Sequence, residues 1–289
     1  MFQINTLYLY LYLLRKQNPF GPSNMELKTM KWIKLVLPFL YLVTACTNSI
    51  DKQKSDIVRI NNEQHHHFIG MKEVCWTGTL NKRIPVFLHY TFQDKLLVGE
   101  ITYLNTKEKK PIKVIGTIEE DTSYTLLQFE PNGNNTGIIT GKPQAYSFDG
   151  TWFSPETQNE QQLSLIKKDT VLNVPDFRPD TANIYGNYHY QFSEYGYQGF
   201  LKINKLKNNH ISFSIFSVTE HPERNIADVP TDTIPITGNS FRYKLPESDS
   251  CEFIVTFYNG FATVDYTKGN CNDQFGMNAT IDGVFIKVN

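Results

Sequence analysis

The sequence has little net charge, no long apolar run and no sustained helical periodicity. Across 289 residues the formal net charge is −1, so no overall field favours nucleic acid or an anionic membrane surface. No apolar run reaches the roughly 20 residues that a spanning helix needs. No segment sustains the 3.6-residue period of an amphipathic helix, so no sizeable helix is predicted.

Motifs for catalysis and for cofactors are also lacking. The sequence contains no Gly-x-Ser-x-Gly elbow, no phosphate-binding loop and no His-Glu-x-x-His pair. His65, His66 and His67 are consecutive and could bind a metal. They lie in a polar tract with no ligand spacing around them, which favours a solvated segment. We therefore expect no catalytic residue, no metal and no cofactor.

Aromatic and β-branched residues are abundant instead, with 20 Phe and 16 Tyr. Short apolar runs recur at about ten-residue intervals between Gly, Asn, Asp and Pro, which is typical of antiparallel β structure. The pattern breaks over 169–183, where prolines and Asp-Thr pairs indicate a linker. We predict an all-β protein with two antiparallel, meander sandwich-like or barrel-like domains in tandem, 73–168 and 184–289.

The segment that ends at Cys46 has the features of an export signal. Lys31 and Lys34 precede an apolar run, Leu35–Val43, and the small residues Thr44 and Ala45 stand directly before the cysteine. This order resembles the lipobox of bacterial lipoproteins, where the cysteine is acylated and becomes the mature N-terminus. A plain signal peptide, or a buried helix with an unrelated cysteine, is the alternative.

The resemblance implies a processed and anchored protein. Residues 1–45 would be removed, Cys46 would carry palmitate-type chains, and 46–72 would form a polar tether. We expect translation to start at Met25 or Met30, with a membrane-anchored N-terminus as the alternative. The expected location is the cell envelope, at the periplasmic or surface face of the outer membrane.

The clearest local signal is Asn259-Gly260 between two alternating runs, which predicts a two-residue β-hairpin turn. Counting outward, Tyr258 pairs with Phe261 and Phe253 with Tyr266. Cys251 then falls opposite Lys268, on the predicted core face. The other face would hold the polar residues of both strands: Glu252, Thr256, Thr263 and Asp265.

Cys271 lies close to this predicted strand end, and an exported protein meets an oxidising compartment. We predict a Cys251–Cys271 disulfide, with two reduced buried cysteines as the alternative. Cys75, beside Trp76, is expected to be a buried apolar residue rather than a reactive thiol.

Three short motifs resemble the Asp-Ser/Thr-apolar acceptor of O-glycosylation in Bacteroidota. They place candidate acceptors at Thr170, Thr181 and Thr233. The first two lie in the predicted linker, where a glycan would be accessible.

The C-terminal third, from Cys251 through Phe275-Gly276 to Asp282–Lys287, resembles closing β modules of small secreted bacterial proteins, some of which accompany lysozyme-inhibitor-like domains. We expect a lipid-anchored protein with a non-enzymatic binding or envelope-structural role, its partner an unknown protein or glycan. The alternatives are a carbohydrate-binding surface protein and an inhibitor of a lytic enzyme such as lysozyme. A hydrolase that uses Glu100 and Glu130 is a further alternative.

Overall fold

The computed structural model describes residues 73–169, 179–246, 248, 251–268, 271 and 274–288. Within them all regular structure is β-strand, and no helix occurs. Two eight-stranded antiparallel sheets follow one another, the first a closed barrel and the second nearly closed. The predicted all-β class with two antiparallel domains is confirmed. The predicted leader and tether, with Cys46 and the histidine tract, lie outside the described residues, as does Thr170.

The first sheet, here called the barrel, is a meander in which β1 also pairs with β8 and so closes the ring. Its strands are β1 (Val74–Leu80), β2 (Ile84–Gln93), β3 (Leu96–Tyr103), β4 (Ile112–Ile118), β5 (Tyr124–Phe129), β6 (Asn135–Pro143), β7 (Ser147–Phe153) and β8 (Glu160–Lys168). Because successive side chains in a strand face opposite ways, one parity of each strand fills the interior. Trp76 lies in this core, where its Nε1 donates to the Tyr90 hydroxyl at 3.0 Å.

The second sheet comprises β9 (Gly186–Gln191), β10 (Gln198–Lys205), β11 (His210–Val218), β12 (Ile226–Pro235), β13 (Ser240–Lys244), β14 (Glu252–Tyr258), β15 (Phe261–Lys268) and β16 (Gly283–Val288). It consists of two four-stranded meanders that join where β9 pairs with β16. The edge strands β12 and β13 are consecutive in the chain, and the Tyr243 hydroxyl on β13 donates to Asp232 Oδ2 on β12 at 2.6 Å. The sheet therefore curls almost into a ring around its own aromatic core.

The hairpin around Asn259-Gly260 has the predicted pairing from Tyr258↔Phe261 to Phe253↔Tyr266. The prediction for Lys268 was wrong, since a register shift next to Glu252 makes Lys268 pair with Glu252 instead of Cys251. Thr263, on the face predicted to hold the polar residues, is only 3% exposed.

The Cys251–Cys271 disulfide is present, with the two Cα atoms 4.6 Å apart. The bridge joins residues separated by 20 positions and ties the segment after β15 to the start of β14. Cys75 is buried, as expected. Desolvation, and the nearby Glu73 carboxylate, raise the pKa of the Cys75 thiol to about 11, so it stays protonated at neutral pH.

Candidate functional site

A row of side chains crosses the outer face of the second sheet at right angles to its strands. Strand pairing aligns His189 on β9 with Phe200 on β10, and Phe200 with Phe216 on β11. The His189 and Phe200 rings are stacked with centroids 4.4 Å apart. The Phe200 and Phe216 centroids lie 6.5 Å apart at an interplanar angle of 38°. We call His189, Phe200 and Phe216 the aromatic row.

Alternation in β10 and β11 turns this row towards solvent. Leu201 and Ile215 point into the core and are buried, so the adjacent Phe200 and Phe216 must point outward. Phe200 is 46% exposed and Phe216 is 37% exposed. Ile226, on the next strand, is exposed as well. Isolated exposed apolar residues are ordinary, whereas neighbouring ones on one face indicate a binding surface.

One end of the row is closed by the turn between β5 and β6 of the barrel. The Gly133 carbonyl accepts a hydrogen bond from the Gln191 amide of β9 at 3.0 Å. The Asn132 carbonyl lies 3.2 Å from His189 Nδ1. Gly133 has φ +88°, and a Cβ there would lie 2.5 Å from the His189 carbonyl oxygen. Glycine at this position therefore permits the close approach of turn and strand.

Beyond His189 the same cross-strand register continues, but its residues are buried. Ile286 pairs with His189, and Phe261 pairs with Ile286, and both are buried. Lys113 of the barrel places its Nζ 5.7 Å from the centre of the Phe261 ring, a cation–π contact. The row thus runs from a junction with the barrel to an open face.

Polar side chains flank the open part of the row, two of them uncharged and two of opposite charge. Gln198 precedes Phe200 by two residues on the outward face of β10, and Ser214 precedes Phe216 in the same way on β11. Lys202 follows Phe200, and Asp228 pairs with Phe216 at the open end. An apolar ring flanked by amides and hydroxyls can hold a ligand that has both apolar faces and polar edges.

His189 is neutral at physiological pH. Burial lowers the pKa of its imidazole, an effect opposed by the contact with the Asn132 carbonyl. Because a carbonyl only accepts hydrogen bonds, the neutral ring carries its proton on Nδ1. His189 then acts as a flat, uncharged ring at the closed end.

A second polar cluster surrounds His89 on the barrel. Its Nδ1 lies 3.2 Å from Glu73 Oε1, and its Nε2 lies 3.5 Å from Glu100 Oε2. The two carboxylates approach opposite ring nitrogens of His89, whereas the ligands of a metal ion converge on one point. No cluster of three or more metal-ligating side chains was found among the described residues.

The structure separates the two carboxylates considered for glycoside hydrolysis. Glu100 lies on β3 beside His89, whereas Glu130 lies in the exposed turn after β5, and β4 runs between the two strands. The Glu130 amide donates to the Asn134 carbonyl at 2.9 Å within that turn. The two residues have unrelated environments.

Of the candidate glycosylation acceptors, Thr181 and Thr233 are exposed. The Asp180 carboxylate accepts hydrogen bonds from the Ala182 and Asn183 amides at 2.9 and 2.8 Å. Modification at these threonines stays a prediction.

Two carboxyl groups of the second sheet, Asp265 and Asp282, are partly buried. Desolvation raises the pKa of Asp265 to about 6. Desolvation, together with the charge of Asp265, raises the pKa of Asp282 to about 7. The Thr263 hydroxyl donates to Asp265 at 3.0 Å, and the Thr280 hydroxyl donates to Asp282. These bonds favour the charged forms but do not outweigh burial.

We expect Asp282→Asn to stabilise the protein at pH 8 and to change little at pH 4. Burial raises the pKa of Asp282 from its ordinary value of 3.8 to about 7 in the folded protein. The contribution of the Asp282 carboxyl to the free energy of unfolding is therefore fully present below about pH 4, and it is lost as pH rises through 7. One pKa unit corresponds to 1.36 kcal/mol, so the gain at pH 8 is on the order of 1–3 kcal/mol. Urea unfolding at both pH values measures it, and an equal effect at pH 4 would contradict this origin.

No protein-family model matches the chain, and no curated protein is significantly similar to it. Within the described residues, no helix has the length and apolar character needed to cross a membrane. Sequence reasoning missed the aromatic row, although a signal was present. The signal was a pair of adjacent apolar residues in one strand, such as Phe200-Leu201. Because side chains alternate, one residue of such a pair has to lie on the outer face.

Proposed function

We propose that this chain is an exported, lipid-anchored binding protein that acts without catalysis and binds its ligand on the aromatic row. The observation that carries the proposal is the pair Phe200 and Phe216, adjacent on one sheet face and substantially exposed. Leaving such rings in water forgoes the gain of burying apolar surface. A ligand that covers them recovers that free energy.

Carbohydrate is the ligand class that this surface favours. A sugar ring has an apolar face, which stacks on an aromatic ring, and a hydroxyl edge, which hydrogen-bonds to polar side chains. The aromatic row offers the exposed rings of Phe200 and Phe216. Beside it, Ser214 offers its hydroxyl and Gln198 its amide oxygen, since the Gln198 Nε2 donates to backbone carbonyls. The single Lys202 and single Asp228 leave the surrounding charge balanced, which suits a neutral ligand.

The lipid anchor rests on the lipobox-like order that ends at Cys46. Several acyl chains hold a protein firmly, because each buried CH₂ contributes about 0.8 kcal/mol while a single chain binds weakly. An anchored binding protein would keep a glycan ligand at the cell envelope without altering it.

Phe200→Ala is the direct test. We expect the purified full-length protein to be retarded in native gels by at least one neutral polysaccharide of a panel of starch, xylan, mannan and mixed-linkage β-glucan. Phe200→Ala should weaken that retardation at least tenfold, because it removes the central ring of the row. Far-ultraviolet circular dichroism should stay unchanged, because Phe200 points away from the core.

Tyr146→Ala is the matched control. Tyr146 is 80% exposed and lies in the barrel, between β6 and β7. This variant should bind as wild type does. If the panel is not retarded at all, or if Phe200→Ala binds like Tyr146→Ala, the proposed ligand surface is wrong.

A further inference from the structure

The aromatic row is open at one end only, and this asymmetry bears on the kind of glycan that fits. We propose that the row binds the terminal residues of a glycan chain, with the chain end against the barrel turn and the rest running outward across β10, β11 and β12. This inference rests on the proposed function and specifies its ligand.

The closed end is built from backbone. The turn at Asn132-Gly133 contacts β9 through the hydrogen bond from the Gln191 amide and through the contact with His189. Asn134 adds a parallel bridge to Gln191. A backbone turn that is hydrogen-bonded at several points cannot move aside as a long side chain could. A glycan chain that follows the row therefore has to end at this turn.

Past the turn there is no room for a ligand on the same line. Ile286 and Phe261, the next members of the cross-strand register, are 4% and 0% exposed. At the other end, Asp228 on β12 is exposed, and β12 is an edge strand of the sheet. A bound glycan chain can therefore extend only towards β12.

The number of exposed rings sets the length of glycan that is recognised. Phe200 and Phe216 are the exposed rings of the row and their centroids lie 6.5 Å apart, whereas one face of Phe200 is stacked on His189 next to the turn. We expect this short exposed stretch to contact two consecutive sugar rings. Asn132 is exposed at that end and carries an amide suited to a terminal hydroxyl. A third sugar would pass Asp228 and make few contacts, so affinity should stop rising after two or three residues.

The test uses oligosaccharides of one to six residues derived from whichever polysaccharide of the panel binds. Each oligosaccharide is also prepared in two blocked forms, one with a bulky group on its first residue and one with that group on its last residue. Titration calorimetry with the full-length protein should show affinity rising to two or three residues and then constant. Blocking one end should weaken binding at least tenfold, while blocking the other should change it less than twofold. Phe216→Ala should weaken disaccharide binding but leave monosaccharide binding unchanged.

The outcomes separate this inference from the proposed function. If affinity keeps rising to six residues, or if neither block matters while Phe200→Ala still abolishes binding, the row is a glycan site but takes internal segments, and the inference is overturned. If no glycan binds, both fail. If sedimentation shows a dimer that Phe200→Ala dissociates, the row belongs to a second copy of this chain, and both are again overturned.

Discussion

Cys46→Ser should abolish acylation of the protein completely. In the lipoprotein pathway that the lipobox resemblance implies, acyl chains would be attached through the sulfur of Cys46, and a serine hydroxyl does not replace it. Without those chains the anchoring free energy of about 0.8 kcal/mol per CH₂ is absent. Fractionation of cells, with metabolic labelling by an alkyne analogue of palmitate, measures both location and acylation.

Thr47→Ser is the matched control, because it changes the neighbouring position and keeps the cysteine. It should remain labelled and membrane-bound. The variant Cys46→Ser should also keep the size of the unprocessed precursor, since cleavage follows acylation. Label that persists in Cys46→Ser would refute the anchor. Removal of the leader from this variant without any label would favour the plain signal peptide.

Removal of the disulfide should cost about 3 kcal/mol of unfolding free energy. Cys251 and Cys271 are 20 positions apart, and a cross-link of that loop length restricts the unfolded chain by about this amount. The double variant Cys251→Ala/Cys271→Ala removes the bridge without leaving a thiol. Its urea midpoint at pH 7 should fall accordingly, with Phe253 and its neighbours still packed in the core.

Reductant provides the control for this prediction. Wild-type protein in dithiothreitol should lose stability to a similar degree, and the double variant should not respond. A double variant that unfolds at the wild-type midpoint would show that the bridge does not stabilise the fold. A response of the double variant to reductant would point to Cys75 instead.

The hairpin at Asn259-Gly260 shows how far local sequence determines structure. In the turn Gly260 adopts a positive φ of +83°, which glycine tolerates, whereas Asn259 does not have positive φ. The period of two on either side of the turn then aligns Phe253 with Tyr266. The disulfide follows from the same hairpin, because the bridged residues lie near its open end. The pairing predicted for Lys268 was wrong because of the register shift next to Glu252. Such a shift depends on how the strand ends pack, which the turn residues do not determine.

The aromatic row shows what local sequence leaves open. In Phe200-Leu201 and in Ile215-Phe216 both side chains are apolar, so alternation says that one faces outward but does not say which. Packing of the sheet around its core decides this, because the branched Leu201 and Ile215 fill the interior. The sequence alone determined the class of fold, the hairpin and the bridge, since each depends on residues close together in the chain.

Only the tertiary structure decided the site. The pairing of β9 with β16 joins strands from opposite ends of the second sheet's sequence, and the turn at Gly133 reaches His189 from the barrel. These contacts depend on loop closure and on the packing of distant strands, which periodicity and turn residues do not encode.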